Sequence, residues 1–293
     1  MRRVEISRYD AFTRTPGKGN PAGVIFDGSA YTDEEMQSIA KIVGFNECCF
    51  ICPSDKADIR LRYFTPGYET PLCGHATIGS IAALMERNDI HQDTDLRVET
   101  LAGIIDVWYH AAKHEVTMEQ ADAEFIGFEG NVHDLMAAIG LDASDYDDGY
   151  PIVYGSTGSW TVIVPVKNLA CFARMQPNSA LFPEMLVSNP RASIHPMTFE
   201  CFDHKHTLHG RHFSSVYSGT VEDSVTGTAS GVMGAYYLNY VKPGMPVNMM
   251  VEQGNEIGKE GTVYVFAHDM DGKIKVKIAG QAVNAGSFFV EMD

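Results

Sequence analysis

The chain has 293 residues, 45% apolar and 20% charged, with 22 basic against 38 acidic side chains and a formal net charge of −16. That balance excludes an intrinsically disordered chain, and it disfavours nucleic acid and acidic membrane surfaces as partners, because both require a basic face. The length exceeds a usual single core, so two domains are expected. Six cysteines are too few for a disulfide framework in a chain this long, and they are read as free thiols.

In chain order, Met1-Arg2-Arg3-Val4-Glu5 runs directly into an alternating strand, Val4 to Phe12, with no apolar stretch long enough for a signal peptide or a membrane span. A cytoplasmic location is therefore expected. A strand at Ala22 to Phe26 follows. Thr32 and Glu35 then form a capping box ahead of Met36, Ile39, Ala40 and Val43, with Gly44 at the stop, which predicts a helix. Further strands are predicted at Glu47 to Ile51, Ile59 to Phe64, Leu96 to Thr100 and Ile104 to His110. Between them, Ile78, Ile81, Ala82 and Met85 lie at helical spacing, with Ala76, Gly79, Ser80 and Ala83 on the other side. A helix apolar or small all round belongs inside a wrapping of strands. The segment from Lys113 to Gln120 reads as a linker. Beyond it come strands at Thr161 to Val166, Met197 to Phe202, Met249 to Glu252, Thr262 to Ala267 and Ile274 to Ala279. A second apolar helix is predicted over Val232 to Tyr240, and a last strand, Val283 to Glu291, is expected to return to the first domain.

The chain repeats itself once. Arg62-Tyr63-Phe64-Thr65-Pro66 is echoed by Arg211-His212-Phe213-Ser214-Ser215 at an offset of 149. Gly74-His75-Ala76-Thr77 is echoed by Gly227-Thr228-Ala229-Ser230, and Val98-Glu99 by Val251-Glu252, both at an offset of 153. Matches in the same order at near-constant spacing indicate a duplicated unit. The expected fold is α+β: two pseudo-symmetric domains, each a curved mixed sheet or barrel wrapped around a central helix. The boundaries are read as 1–116 and 117–280, with 281–293 returning to the first domain.

Both central helices open on small, glycine-bearing segments, where backbone N–H groups and the positive dipole end are available to a carboxylate. The alternative is that the glycines serve only close packing. Glu47 opens an apolar strand, a setting that suits general acid/base work, although a solvent-facing strand-end glutamate gives the same pattern. His75 sits in the first turn of the first central helix, and Asp223 lies in a Glu-Asp-Ser turn; each has an ordinary structural alternative. The expected site is the cleft between the domains around Glu47, His75 and Asp223. Cys49 and Cys52 form a C-x-x-C without a second pair, so buried thiols are expected. The run His204, His206, His209 and His212, beside Cys201 and Asp203, reads as part of a hairpin rather than a metal site. No dinucleotide fingerprint or P-loop occurs, so no nucleotide cofactor is implied.

Taken together, Gly19-Asn20-Pro21-Ala22-Gly23-Val24, Asn46-Glu47, Arg62-Tyr63-Phe64-Thr65-Pro66, Cys73-Gly74-His75-Ala76-Thr77, Glu222-Asp223-Ser224-Val225-Thr226-Gly227-Thr228-Ala229 and Glu252-Gln253-Gly254 resemble the PhzF-like isomerase family of phenazine biosynthesis. The likeness spans nearly the whole chain. It implies a diaminopimelate-epimerase-like fold and a homodimer. It also implies an acid/base isomerase of a small unsaturated carboxylic acid, working without cofactor or metal. By the same resemblance Glu47 moves the proton, His75 and Asp223 stand at the reacting centre, and Asn20, Cys73, Gly74, Gly227 and Thr228 bind substrate. Ser224 stands where the family commonly has proline, Thr228 where it has serine, and Gly258-Lys259-Glu260-Gly261 where it has glycine-arginine-proline-serine. The related epimerases use two opposed cysteines. Cys73 matches the first, and its repeat counterpart is Thr226, which disfavours a two-cysteine epimerase. An epimerase working through Cys73 with a non-thiol partner, or a binding protein of the same fold without turnover, are the other readings.

Overall fold

The computed structural model describes residues 2–292 and divides the chain into two units, Met1–Glu119 with Ala279–Asp293, and Gln120–Ile278. The boundary falls three residues beyond the sequence reading, because the expected linker is a strand. Glu115, Val116, Thr117 and Met118 are all buried in it, and the flanking glutamates had disguised its pairing pattern.

In the first unit, β1 (Arg2–Ala11), β2 (Asn20–Ile25), β3 (Glu47–Cys52), β4 (Ile59–Phe64), β5 (Glu69–Thr70), β6 (Thr94–Thr100), β7 (Gly103–His110) and β8 (Glu115–Glu119) accompany two helices, α1 (Asp33–Val43) and α2 (Gly74–Arg87). Strands pair in the order β1, β2, β3, β4, β6, β7, β8. The last strand of the chain closes the ring by pairing with both β8 and β1, in a register running from Arg2↔Met292 to Ala11↔Ala282. Closure leaves no open edge. Helix α2 fills the barrel, and every residue from Gly74 to Ile81 is buried. Gly79 faces β1 and β2, where a Cβ would come within 3.4 Å of the Cβ atoms of Tyr9 and Ala22, the near edge of ordinary contact. Helix α1 covers the outside with Met36, Ile39 and Ala40 packed against Ile25, Phe50 and Phe64. It begins and ends as its sequence requires. Glu35 N–H donates to Thr32 Oγ1 at 3.3 Å, Thr32 N–H donates to Glu35 Oε2 at 2.8 Å, and Gly44 closes it at φ +71°.

The second unit contains β9 (Glu124–Gly127), α3 (Val132–Ala138), β10 (Val153–Ser156), β11 (Trp160–Pro165), α4 (Leu169–Phe172), α5 (Phe182–Met185), β12 (Ser193–Thr198), β13 (Leu208–Gly210), β14 (His212–Phe213), β15 (Glu222–Asp223), α6 (Gly227–Tyr236), β16 (Val247–Gln253), β17 (Gly261–Met270) and the start of β18 (Lys273–Met292). Helix α6 is the buried counterpart of α2. Gly234 lets it lie against β17, since a Cβ there would meet Val265 Cγ1 at 2.4 Å. The helix stops at Tyr236 and widens into a π turn over Tyr237–Val241, earlier than the apolar run suggests. The strand expected at Met197 to Phe202 lies four residues upstream. Pro196 usually marks a strand's start or edge, but here it sits inside β12, with its carbonyl accepting from Arg211 N–H at 3.2 Å. Outside the sheet, α3 and the short helices bury Leu135, Met136, Ile139, Phe172 and Phe182 in one core.

The repeat is exact in register. Ile59↔Val98 and Arg60↔Glu99 pair in parallel in the first unit, as Leu208↔Val251 and His209↔Glu252 do in the second. Arg62 forms a two-pronged ion pair with Glu69, and Arg211 forms the same pair with Glu222. Thr77 Oγ1 donates to Cys73 O at 2.7 Å, and Ser230 Oγ donates to Thr226 O at 3.0 Å.

Candidate functional site

In the first unit, five sequence-predicted residues, Asn20, Glu47, Cys73, Gly74 and His75, converge at the start of α2, which opens at Gly74. Strand β3 begins at Glu47, paired in parallel with Ala22 on β2, and β2 begins at the buried Asn20. Cys73 is the extended residue preceding α2, and its side chain makes no cap hydrogen bond to the helix, whose first-turn N–H groups have no partner within the helix itself. His75 follows one turn in, with only 6% of its surface exposed.

Asn20 Nδ2 lies 3.1 Å from His75 Nδ1, and with the amide in this orientation its NH2 donates to Nδ1, which places the imidazole proton on Nε2. Nε2 stands 3.3 Å from Glu47 Oε2. Cys73 Sγ is 3.4 Å from Nδ1 and 3.9 Å from Nε2. Deeper in the barrel, Tyr63 OH and Thr77 Oγ1 meet at 2.7 Å and tie the helix start to β4. Among the described residues, Glu47, Cys73 and His75 are the one group of histidine, cysteine and carboxylate atoms close enough together to hold a metal ion.

Asp223, Gly227 and Thr228 lie in the second unit on the matching elements, β15 and the start of α6. Thr226 Oγ1 donates to Asp223 Oδ2 at 2.6 Å, and Gln253 Nε2 donates to Asp223 O at 2.7 Å, so the Glu252-Gln253-Gly254 motif braces this turn. Thr226 precedes α6 as Cys73 precedes α2, and it too places no side-chain cap on the helix. In the sequence Gln253 and Tyr63 stand out only as members of motifs, with no role attached to either. A buried glutamine within an apolar strand was the available signal for the first.

The remaining thiols are all free, and five of the six cysteines are buried. Burial, reinforced by the neighbouring Glu47 charge, pushes the Cys48 thiol up to about 12, and burial raises Cys49 further. Neither is a thiolate near neutral pH.

The histidine-rich stretch is a structural network. Strand β13 pairs antiparallel with β12, as a hairpin. Glu252 accepts from Phe202 N–H at 2.5 Å and Asp203 N–H at 3.2 Å, and it meets His206 Nδ1 at 3.1 Å and His209 Nδ1 at 3.1 Å. His209 Nε2 reaches Glu256 Oε1 at 3.0 Å. Burial alone would raise the Glu252 pKa, but these hydrogen bonds outweigh it and hold the carboxylate well below its usual range. For His209, burial opposes the charge, and Glu252 with Glu256 outweighs it, so its pKa is raised. The signs give a window. The histidine contribution is complete below its unfolded pKa of about 6.5 and fades as pH rises through the higher folded value. The carboxylate contribution is complete above about 4.3 and fades as pH falls through the lowered folded value. His209→Asn is therefore expected to lower the midpoint of thermal unfolding most between about pH 4.5 and 6.5. A loss that is the same at pH 5.5 and pH 8.5 would rule the charged pair out.

A strand barrel closed around a buried helix in the first unit, with the same strand pairing and a matching buried helix in the second, defines the diaminopimelate-epimerase-like class of isomerase folds. The sequence profile of the PhzC-PhzF family, described as phenazine biosynthesis-like protein, matches residues 9–287, and the chain belongs to that family. An uncharacterized isomerase, YfhB, of Bacillus subtilis is 47% identical over 285 residues, covering 97% of each chain. The crystal structure of a PhzF-family phenazine biosynthesis protein from Bacillus anthracis superposes with a TM-score of 0.96 at 49% identity over 100% of both chains. A trans-2,3-dihydro-3-hydroxyanthranilate isomerase of Pseudomonas chlororaphis is 28% identical, covering 94% of this chain and 95% of its own. A hydroxyproline epimerase from Agrobacterium vitis shares the fold, with a TM-score of 0.63 at 14% identity over 100% of this chain and 92% of its own. The chain is an enzyme of the isomerase class.

Proposed function

We propose that the enzyme moves a proton within a small unsaturated carboxylic acid by general acid/base catalysis, without a cofactor, and that Glu47 carries the proton. The observation that supports this most directly is the Glu47 carboxylate held 3.3 Å from His75 Nε2 beside an uncapped helix start. His75 Nε2 lies beside the carboxylate, and the Asn20 amide, donating to Nδ1, favours the tautomer with its proton on Nε2. Glu47 takes a proton from the carbon next to the double bond. The C–H electron pair forms a new double bond, the old one shifts, and the same carboxylic acid returns the proton to the far carbon. Charge that builds on the substrate carboxylate is stabilised by the α2 N–H groups. The family resemblance supports Asp223 as a group at the reacting centre, Gly227 and Thr228 as substrate-binding positions, and a homodimer, which light scattering of the purified protein would test.

The activity named for the Pseudomonas relative concerns a cyclic unsaturated carboxylate, which makes that compound the first substrate to try. Cyclic unsaturated carboxylates are expected to raise the unfolding temperature, and turnover in D2O is expected to give product carrying one deuterium in a measurable fraction. A carboxylate that is converted with no solvent label in either product or recovered substrate would count against a glutamate that exchanges its proton.

Cys73 supplies a second discriminating test. Its counterpart Thr226 is not a thiol, so Cys73→Ala is expected to keep turnover within about tenfold of wild type, well short of the loss that follows removal of a covalent or proton-transferring thiol. Complete loss in a folded Cys73→Ala protein would favour an epimerase reading instead.

A further inference from the structure

We propose that Glu47, Cys73 and His75 also form a binding site for a divalent transition metal of the zinc type, and that metal bound there inhibits the enzyme by occupying the proton-carrying carboxylate. Binding stands on the geometry alone, and only the inhibition rests on the proposed function. In tetrahedral sites zinc lies about 2.3 Å from sulfur and about 2.0–2.2 Å from nitrogen or oxygen. Ligands around such a centre are therefore separated by about 3.4 Å (nitrogen to oxygen) and about 3.6 Å (sulfur to nitrogen). His75 Nε2 stands 3.3 Å from Glu47 Oε2 and 3.9 Å from Cys73 Sγ, and all three ligand atoms fall within 4.8 Å of one another. The first separation already fits, the second must shorten by about 0.3 Å, and Cys73 Sγ and Glu47 Oε2, within 4.8 Å of each other, must close to about 3.6 Å by rotation of the two side chains. Cys73 and His75 are 7% and 6% exposed, so water competes weakly for the ion.

The donor chemistry selects the ion. A thiolate with an imidazole favours zinc, cobalt or copper over magnesium and calcium, which require oxygen ligands. Three protein ligands leave a fourth position open for water or a substrate carboxylate. Charge and protons balance as follows. Metal entry displaces the thiol proton of Cys73 to solvent, and the imidazole proton passes from Nε2 to Nδ1. There the Asn20 amide, turned about its terminal bond, accepts it through Oδ1. This makes Asn20 the outer partner that metal-bound histidines generally have. Proton release makes the affinity rise with pH.

Cobalt(II) reports the site without an activity assay, because a thiolate ligand gives a charge-transfer band and tetrahedral geometry gives strong visible bands. Titration of the full-length, metal-free protein is expected to saturate at one cobalt per chain with both features, and zinc is expected to displace it. Cys73→Ser is expected to lose the charge-transfer band and weaken binding by at least about 100-fold, since even changes outside the ligand set cost roughly 10–100-fold. Glu47→Gln is expected to keep the band with affinity lower by at least about tenfold, judged on that same scale. A folded wild-type protein without a thiolate band, a Cys73→Ser protein with the wild-type band, or a Glu47→Gln protein with unchanged affinity would each overturn the site.

Discussion

Glu47→Gln is expected to give a folded protein that binds its carboxylate ligand but turns substrate over about a hundredfold more slowly or worse, the usual scale for losing a general base. The substitution keeps the shape of the side chain that stands 3.3 Å from His75 Nε2, so packing at the start of β3 is expected to be unchanged. What disappears is the group that takes and returns the proton. The loss should therefore fall on kcat rather than on ligand affinity, because the missing interaction acts on the reaction step and not on ground-state binding. Two measurements separate these: the ligand-induced rise in unfolding temperature, expected to match wild type, and the turnover rate, expected to collapse. Near-normal turnover in the folded variant would end the assignment and make Asp223 the next residue to test.

The parts of this fold legible in the sequence are those in which one residue type has one physical use. The Thr32 and Glu35 capping box and the Gly44 stop were readable because few other patterns satisfy a helix's unpaired ends. The duplication was readable because two chemically similar helix starts recur at one offset, and the matched ion pairs of Arg62 and Arg211 show why both copies kept their arginine. Strand β8 was missed because Glu115 and Glu119 bracket it, and a buried glutamate breaks the alternation on which such readings depend. The site was legible in composition but not in geometry. Asn20, Glu47, Cys73 and His75 were each identifiable, yet their meeting depends on the parallel pairing of β2 with β3 and on the depth at which Gly79 seats α2, and local pattern encodes neither. The His206 and His209 network was invisible for a related reason: its organiser, Glu252, is more than forty residues away in the chain.

Arg211→Met is expected to cost about 3–5 kcal/mol in the second unit, the range for stranding one member of a buried ion pair. Arg211 is 8% exposed and Glu222 11%, and the guanidinium makes two parallel bonds to the carboxylate, at 2.9 and 2.7 Å. Its third nitrogen donates to Phe172 O at 2.9 Å, satisfying a carbonyl at the end of α4. Methionine fills much of the volume but leaves Glu222 charged, shielded from water and unanswered, and it leaves the Phe172 carbonyl with the longer bond from Met175 N–H at 3.3 Å. The repeat provides the control. Arg62 makes the same pair with Glu69, but Glu69 is 23% exposed and the third partner, Asp33, is 74% exposed, so water replaces much of what Arg62→Met removes. The expected cost there is about 1–2 kcal/mol, nearer to a single lost hydrogen bond. The two tryptophans allow each copy to be followed separately, since Trp108 lies on β7 and Trp160 on β11. In urea titrations of single-tryptophan variants, Arg211→Met should shift the Trp160 transition strongly, and Arg62→Met should shift the Trp108 transition less. Adding Glu222→Leu to Arg211→Met should recover part of the loss, because removing both charges removes the stranded one. Equal shifts for the two arginines, or no recovery in the double variant, would show that the buried charge is not what makes Arg211 costly to replace.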